Sequence, residues 1–249
     1  MSSVAVYSLK GGVGKSTIAV NLAYHSARTS ARRTLLWDID AQGAAGFLLK
    51  GRTDAPGARR IFSRDADAHK LAIATDHLRL DLLAADASLR SLDVQLVRED
   101  APKRLRKLLR GLGTAYERIV IDCPPGLTEI SEQVFMAADL IVVPVVPSPL
   151  AVRAYEDVIE HLRERRRGVE PRILPVLSMV DLRRKLHREM VEAHPDWIAI
   201  PQASVIERMS VEHAPVAAFA RRHRSAAAFA DLWAEVEGCL ISMARPSAE

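Results

Sequence analysis

Lys10-Gly11-Gly12-Val13-Gly14-Lys15-Ser16-Thr17 decides the fold. A short apolar run at residues 4–8 precedes it, and a helical pattern at residues 16–29 follows. A glycine-rich turn between strand and helix lets backbone N–H groups converge on phosphate oxygens, and the helix N-terminus adds partial positive charge. Gly11, Gly12, Val13 and Gly14 supply that cradle. Lys15 is placed for the β- and γ-phosphates of a nucleotide, the Ser16 hydroxyl for Mg²⁺, and Thr17 for the α-phosphate.

Outward from this loop, runs rich in Val, Ile and Leu at residues 34–39, 80–84, 118–121, 140–146 and 173–179 predict buried strands. Between them, residues 102–112, 128–137, 150–167 and 183–194 carry helical patterns. Such alternation predicts an α/β fold, a doubly wound, mostly parallel sheet with helices on both faces. Residues 51–70 read as a surface excursion, and no repeat or linker divides the chain. Its 249 residues suit one domain. A last helix over residues 225–243 sets Phe229, Leu232, Trp233, Val236 and Leu240 on one face, the pattern of a core-docking helix. A membrane-targeting helix wants Lys and Arg on its polar face, where this one has Asp231, Glu235 and Glu237.

A hydrophobic content of 49% with 27% charged residues excludes a disordered chain. No apolar run reaches the roughly 18 residues of a membrane helix, and the first residues lack a signal-peptide pattern. Two cysteines, Cys123 and Cys239, make neither a disulfide framework nor a zinc or redox motif. These features predict a cytoplasmic protein.

Carboxylates close two of the expected strands. Residues 34–39 lead into Asp38-Ile39-Asp40-Ala41-Gln42-Gly43, and residues 118–121 into Asp122-Cys123-Pro124-Pro125-Gly126. Acids at the C-terminal ends of parallel strands lie in the crevice where such sheets bind ligands. Asp122 follows a Walker B pattern and is placed to hold Mg²⁺ through water. Gly126 can bring its backbone near the γ-phosphate, and Cys123 reads as packing.

The loop also departs from an ordinary P-loop: Leu9 holds the usual first glycine position, and Lys10 the next. This second lysine resembles the deviant Walker A signature of ParA-type partition ATPases, in the ParA/MinD superfamily of P-loop NTPases. The likeness extends to Asp38–Gln42, with Ala41 where proline is usual, and to Val143-Pro144-Val145-Val146-Pro147-Ser148-Pro149. It implies that Lys10 crosses to the nucleotide of a partner copy in an ATP sandwich homodimer. Asp40 then orients the attacking water, Asp38 supports the magnesium shell with Ser16 and Asp122, and Asp40, Gln42 and Gly126 belong to the two switches. The purine pocket falls near residues 176–181 and 200–202, with Met179 and Pro201 as candidates.

By the same resemblance, the ATP-bound dimer coats non-specific double-stranded DNA, and a ParB-like or cargo-adaptor protein triggers hydrolysis. Such a switch partitions DNA or positions a large cytoplasmic cargo, and is nucleoid-associated rather than membrane-bound. A net charge of +4 permits an anionic partner. Basic clusters at residues 103–107, 183–188 and 221–224 offer the cations: Arg183, Arg184, Arg221, Arg222 and Arg224, with Arg208 besides. Only about ten residues precede the P-loop, so neither a helix-turn-helix extension nor operator binding is expected. Basal hydrolysis should be slow, because no arginine finger is identifiable.

Three competitors share parts of this pattern. A MinD-like membrane switch needs a basic amphipathic tail, and a nitrogenase-reductase-like enzyme needs cluster cysteines. A dethiobiotin-synthetase-like ligase normally lacks the cross-dimer lysine.

Overall fold

Val4, Ala5 and Val6 are fully buried, as are Leu35, Leu36, Ile119, Val120 and Ile121. Strands without polar alternation must be covered on both faces, and the computed structural model arranges them so. It describes residues 1–50, 71–85, 104–164 and 171–244. Strands β1 (Ser2–Val6), β2 (Thr34–Asp38), β3 (Ile73–Ala74), β4 (Leu80–Leu83), β5 (Arg118–Asp122), β6 (Leu140–Val145), β7 (Arg172–Val180) and β8 (Ile198–Pro201) form one sheet. Their order is β3-β4-β2-β5-β1-β6-β7-β8. Every neighbouring pair is parallel except β3 with β4. The doubly wound, mostly parallel sheet predicted above is therefore the one found.

Helices α1 (Lys15–Arg28) and α2 (Ala44–Lys50) follow the first two strands. After them come α3 (Arg104–Leu112), α4 (Glu129–Ala137), α5 (Pro149–Glu164) and α6 (Lys185–Ala193). Three four-residue helices, α7 (Ser204–Glu207), α8 (Met209–Glu212) and α9 (Val216–Phe219), lead to the long α10 (Arg224–Ala244). One apolar layer joins α1 and α10 to the sheet through Ile18, Leu22, Phe229, Leu232 and Trp233. The other gathers Tyr7, Trp37, Leu105, Leu109, Val134 and Phe135 on the opposite face. All five residues expected on the inner stripe of the last helix are buried. Among the described residues no helix is long and apolar enough to cross a membrane.

Several boundaries differ from expectation. The first strand ends at Val6 rather than residue 8, because Tyr7 and Ser8 already turn into the loop. The strand from Arg118 runs on to Asp122, which pairs in register with both Val6 and Asp38. The helix expected from residue 183 begins at Lys185, because Asp181 holds a turn through Arg183 N–H on Oδ1 (3.1 Å) and Arg184 N–H on its carbonyl (3.0 Å). Short elements β3, β8, α2 and α7 to α9 were not foreseen. The expected excursion at 51–70, the helix start at 102–103 and the helix end at 165–167 lie outside the described residues.

Candidate functional site

β1 lies at the middle of the sheet, so the loop leaving it emerges at the crevice between the two directions of winding. Gly14 takes the N-cap position of α1 with φ +87° and has no side chain to cap the helix. The first turn carries no acid either. Its N–H groups are therefore free of side-chain competition for an anion. Gly14 is required twice over: a Cβ there would also stand 3.1 Å from Ser178 Oγ. Ser178, on β7, donates to the Val13 carbonyl at 2.8 Å and so ties the loop to a strand far along the chain.

Lys15 is almost fully buried, and its ammonium donates to the Lys10 carbonyl at 3.3 Å, arching over the loop. Lys10 behaves differently. Its ammonium lies on the surface and donates to the Leu150 carbonyl, in the first turn of α5, at 2.9 Å.

Asp38 and Asp122 are fully buried lateral neighbours at the ends of β2 and β5. Asp38 accepts N–H groups from Asp40 (3.1 Å) and Gly46 (3.0 Å). Burial nevertheless pushes its carboxyl up to about 7. Both carboxylate oxygens of Asp122 are buried without a hydrogen-bond partner. Burial and then the Asp38 charge raise its pKa well above the carboxylate range, with the Ser16 hydroxyl and Lys15 pulling the other way. An orphaned buried carboxylate beside a second acid, a hydroxyl and a lysine fits a hard cation completed by phosphate oxygens. Cys123 is buried, and its thiol is pushed well above its ordinary value by burial, which suits packing rather than nucleophilic attack.

The two candidate switch turns follow these acids. Asp40 Oδ1 accepts the N–H of exposed Gln42 at 3.0 Å, and the Asp40 carbonyl accepts from Gly43 at 2.9 Å. Gly126 adopts φ +88°, and its carbonyl accepts the Tyr7 hydroxyl at 3.0 Å. Thr128 and Ser131 then cap α4 reciprocally.

Met179 and Pro201 lie at the C-terminal ends of adjacent strands β7 and β8. Met179 adopts φ +57°, and its Cε lies 3.7 Å from where a Gly14 Cβ would be. It therefore borders the phosphate loop. Pro201 pairs with Val180 across a register shift. Tyr7 and Leu150 were not among the sequence candidates, and Ser178 entered only within the stretch 176–181 expected near the base. Each acts through a contact more than a hundred residues away, which no local pattern signals.

The six candidate arginines divide into two groups. Arg183 grips Asp181 with two hydrogen bonds of 2.9 Å, which pull that acid down to about 2. Arg208 is paired with Glu212 and stands over the Phe219 ring. Arg184, Arg221, Arg222 and Arg224 are exposed and make no ion pair among the described residues. Buried Asn21 reaches from α1 to this part of the chain. Its amide donates to the Thr17 carbonyl (2.8 Å) and accepts the Val216 N–H (3.0 Å).

A family model described as an AAA domain matches residues 1–173. Over 195 residues the chain is 32% identical to the chromosome partitioning protein ParA of Myxococcus xanthus, covering 76% of this chain and 69% of that one. The chain belongs to the ParA family. Within that family it is also 30% identical to the chromosome-partitioning ATPase Soj of Thermus thermophilus, over 89% of this chain and 92% of Soj. Among solved structures, the septum site-determining protein MinD of Pyrococcus horikoshii, complexed with Mg-ADP, superposes with a TM-score of 0.77. That match covers 94% of this chain and 95% of MinD at 21% identity, a likeness of fold. Membership of the ParA family makes the chain a partition-type ATPase with a P-loop.

Proposed function

We propose that this ParA-family ATPase is a nucleotide-gated switch on DNA, built on a single ATPase domain. Two copies close around ATP and Mg²⁺, the dimer binds double-stranded DNA without regard to sequence, and hydrolysis to ADP and phosphate releases it. A ParB-like or cargo-adaptor protein stimulates that hydrolysis, so that DNA or a large cytoplasmic assembly is partitioned or positioned.

The observation carrying the nucleotide half is the orphaned Asp122 carboxylate under an uncapped, lysine-flanked helix N-terminus. Ser16 and Asp122, with Asp38 behind, would hold Mg²⁺, which when bound neutralises phosphate charge. Gly11 to Thr17 bind the phosphates, and Lys15 adds a cation at their outer end. Met179 and Pro201 border the base. Asp40 orients the attacking water, Gln42 holds that turn, and Gly126 presents backbone to the terminal phosphate. The Lys10 ammonium bonds the Leu150 carbonyl at the surface, whereas that of Lys15 arches over the phosphate loop. That placement supports a role on the nucleotide of a second copy, where its charge links ATP to dimerisation.

Of the six candidate arginines, Arg184, Arg221, Arg222 and Arg224 have no ion-pair partner among the described residues and are open to phosphates. Arg183 and Arg208 are exposed as well, and their surface pairs with Asp181 and Glu212, worth about 0–1 kcal/mol, leave them as further candidates. Four free arginines on each of two copies release up to about seven counterions' worth of salt dependence, a log–log slope near −7. Binding to long random-sequence duplex, with ADP, ATP or no nucleotide across a salt titration, tests this reading. ATP-dependent, steeply salt-sensitive binding supports it. Confirmed ATP-driven dimerisation with no DNA binding overturns it.

A further inference from the structure

Tyr7 immediately follows β1 and is completely buried, its ring edge-on to Phe135 of α4 at 4.8 Å. It sits within the apolar layer that also holds Ile121, Cys123, Ile130 and Phe135. A phenol there costs desolvation unless its hydroxyl is bonded, whereas phenylalanine would fill the same space without a polar atom. Packing therefore accounts for the ring and leaves the hydroxyl to be explained. That hydroxyl donates to the carbonyl of Gly126, at 3.0 Å and 119 residues away, and it also shares a hydrogen bond with the Ser131 side chain in the first turn of α4. Gly126 lies in the turn that leaves Asp122, at φ +88°, where a glycine has other conformations within easy reach.

A trans peptide points its C=O and N–H in opposite directions. Anchoring the Gly126 carbonyl into the core consequently aims the Leu127 N–H away from it, on the outer side of the turn, where Leu127 itself is half exposed. We propose that Tyr7 is a positioning residue for ATP hydrolysis: its hydroxyl holds the Gly126–Leu127 peptide in the orientation that presents backbone N–H to the terminal phosphate. ADP, which lacks that phosphate, does not use the contact. The inference rests on the reading of Gly126 as a switch residue.

Tyr7→Phe tests it by removing one oxygen while keeping the ring against Phe135. The expected result is an ADP affinity within about twofold of wild type, ATP turnover lower by about tenfold, and faster hydrogen exchange in residues 124–128. Phe135→Leu is the companion variant, loosening the packing while leaving the hydroxyl in place; its turnover should stay within about twofold. Unchanged turnover in Tyr7→Phe overturns the proposal. So does an equal fall in ADP affinity and turnover, or an equal loss of turnover in Phe135→Leu, because each marks general damage to the fold. Absence of ATP hydrolysis by the wild-type chain would instead count against the switch reading itself.

Discussion

Asp122→Asn should make the nucleotide-free protein more stable, although it removes a residue placed at the heart of the site. Asp38 and Asp122 face each other in register, buried, with both Asp122 oxygens unpartnered. Burial raises the carboxyl of Asp38 to about 7 from an ordinary 3.8. It raises Asp122 as well, with the charge of Asp38 adding to it. A folded-state pKa above the unfolded one means that the folded chain holds a proton the unfolded chain has released. Stability is then full below the ordinary carboxylate range and is lost as pH rises through the folded value. For Asp38, a gap of about 3 pH units at about 1.36 kcal/mol each gives on the order of 4 kcal/mol. That is a large share of the roughly 5–15 kcal/mol that holds a domain together.

The asparagine amide matches the size of the carboxylate and removes the proton that Asp122 retains against burial and the neighbouring Asp38 charge. In urea denaturation, wild type and variant should be close at about pH 4 and below, where the unfolded carboxyls also keep their protons. Near pH 8 the variant should be the more stable of the two, with the higher urea midpoint. His25, His77 and His187 have pKa values lowered chiefly by burial, so they weaken the fold as pH falls. They are common to both proteins and cancel in the difference. Mg²⁺ with ADP should reverse the order, stabilising wild type far more than the variant. A gap that does not change with pH, or a variant that is less stable near pH 8, would refute the argument.

Asp40→Ala should bind ATP and dimerise while turnover falls by about a hundredfold; normal turnover in a phosphate-release assay counts against Asp40 as the residue that orients water. Lys15→Gln and Lys10→Ala should both abolish ATP-driven dimerisation, but only Lys15→Gln should weaken nucleotide binding to the monomer by tenfold or more. Sedimentation and fluorescent-nucleotide titration separate the two. Asn21→Leu should cost about 2–3 kcal/mol, because the buried Val216 N–H and Thr17 carbonyl both lose the amide. A melting temperature within a degree of wild type would show that those groups find other partners.

What was legible in the sequence shares one property: the physical cause lies within a few residues. The P-loop needs its glycines, its lysine and its flanking elements in one stretch, and Asp38 and Asp122 announce themselves by closing apolar runs. The five-residue stripe of α10 is visible for the same reason, being one face of one helix. The short helices 204–219 were missed because four residues make barely one turn, too few for a period to show, and tertiary anchors such as the Asn21 bond to Val216 set their positions. β8 escaped notice because its four residues are confirmed as a strand only by pairing with β7. The same limit applies inside the site. Tyr7, Ser178 and Leu150 are ordinary residues until the fold brings Gly126, Val13 and Lys10 against them. The arginines show the converse. Asp181 and Arg183 stand two apart and Arg208 and Glu212 four apart, spacings at which pairing was readable, yet composition counted all six cations alike. Local charge pairing therefore sets Arg184, Arg221, Arg222 and Arg224 apart from Arg183 and Arg208 among the described residues.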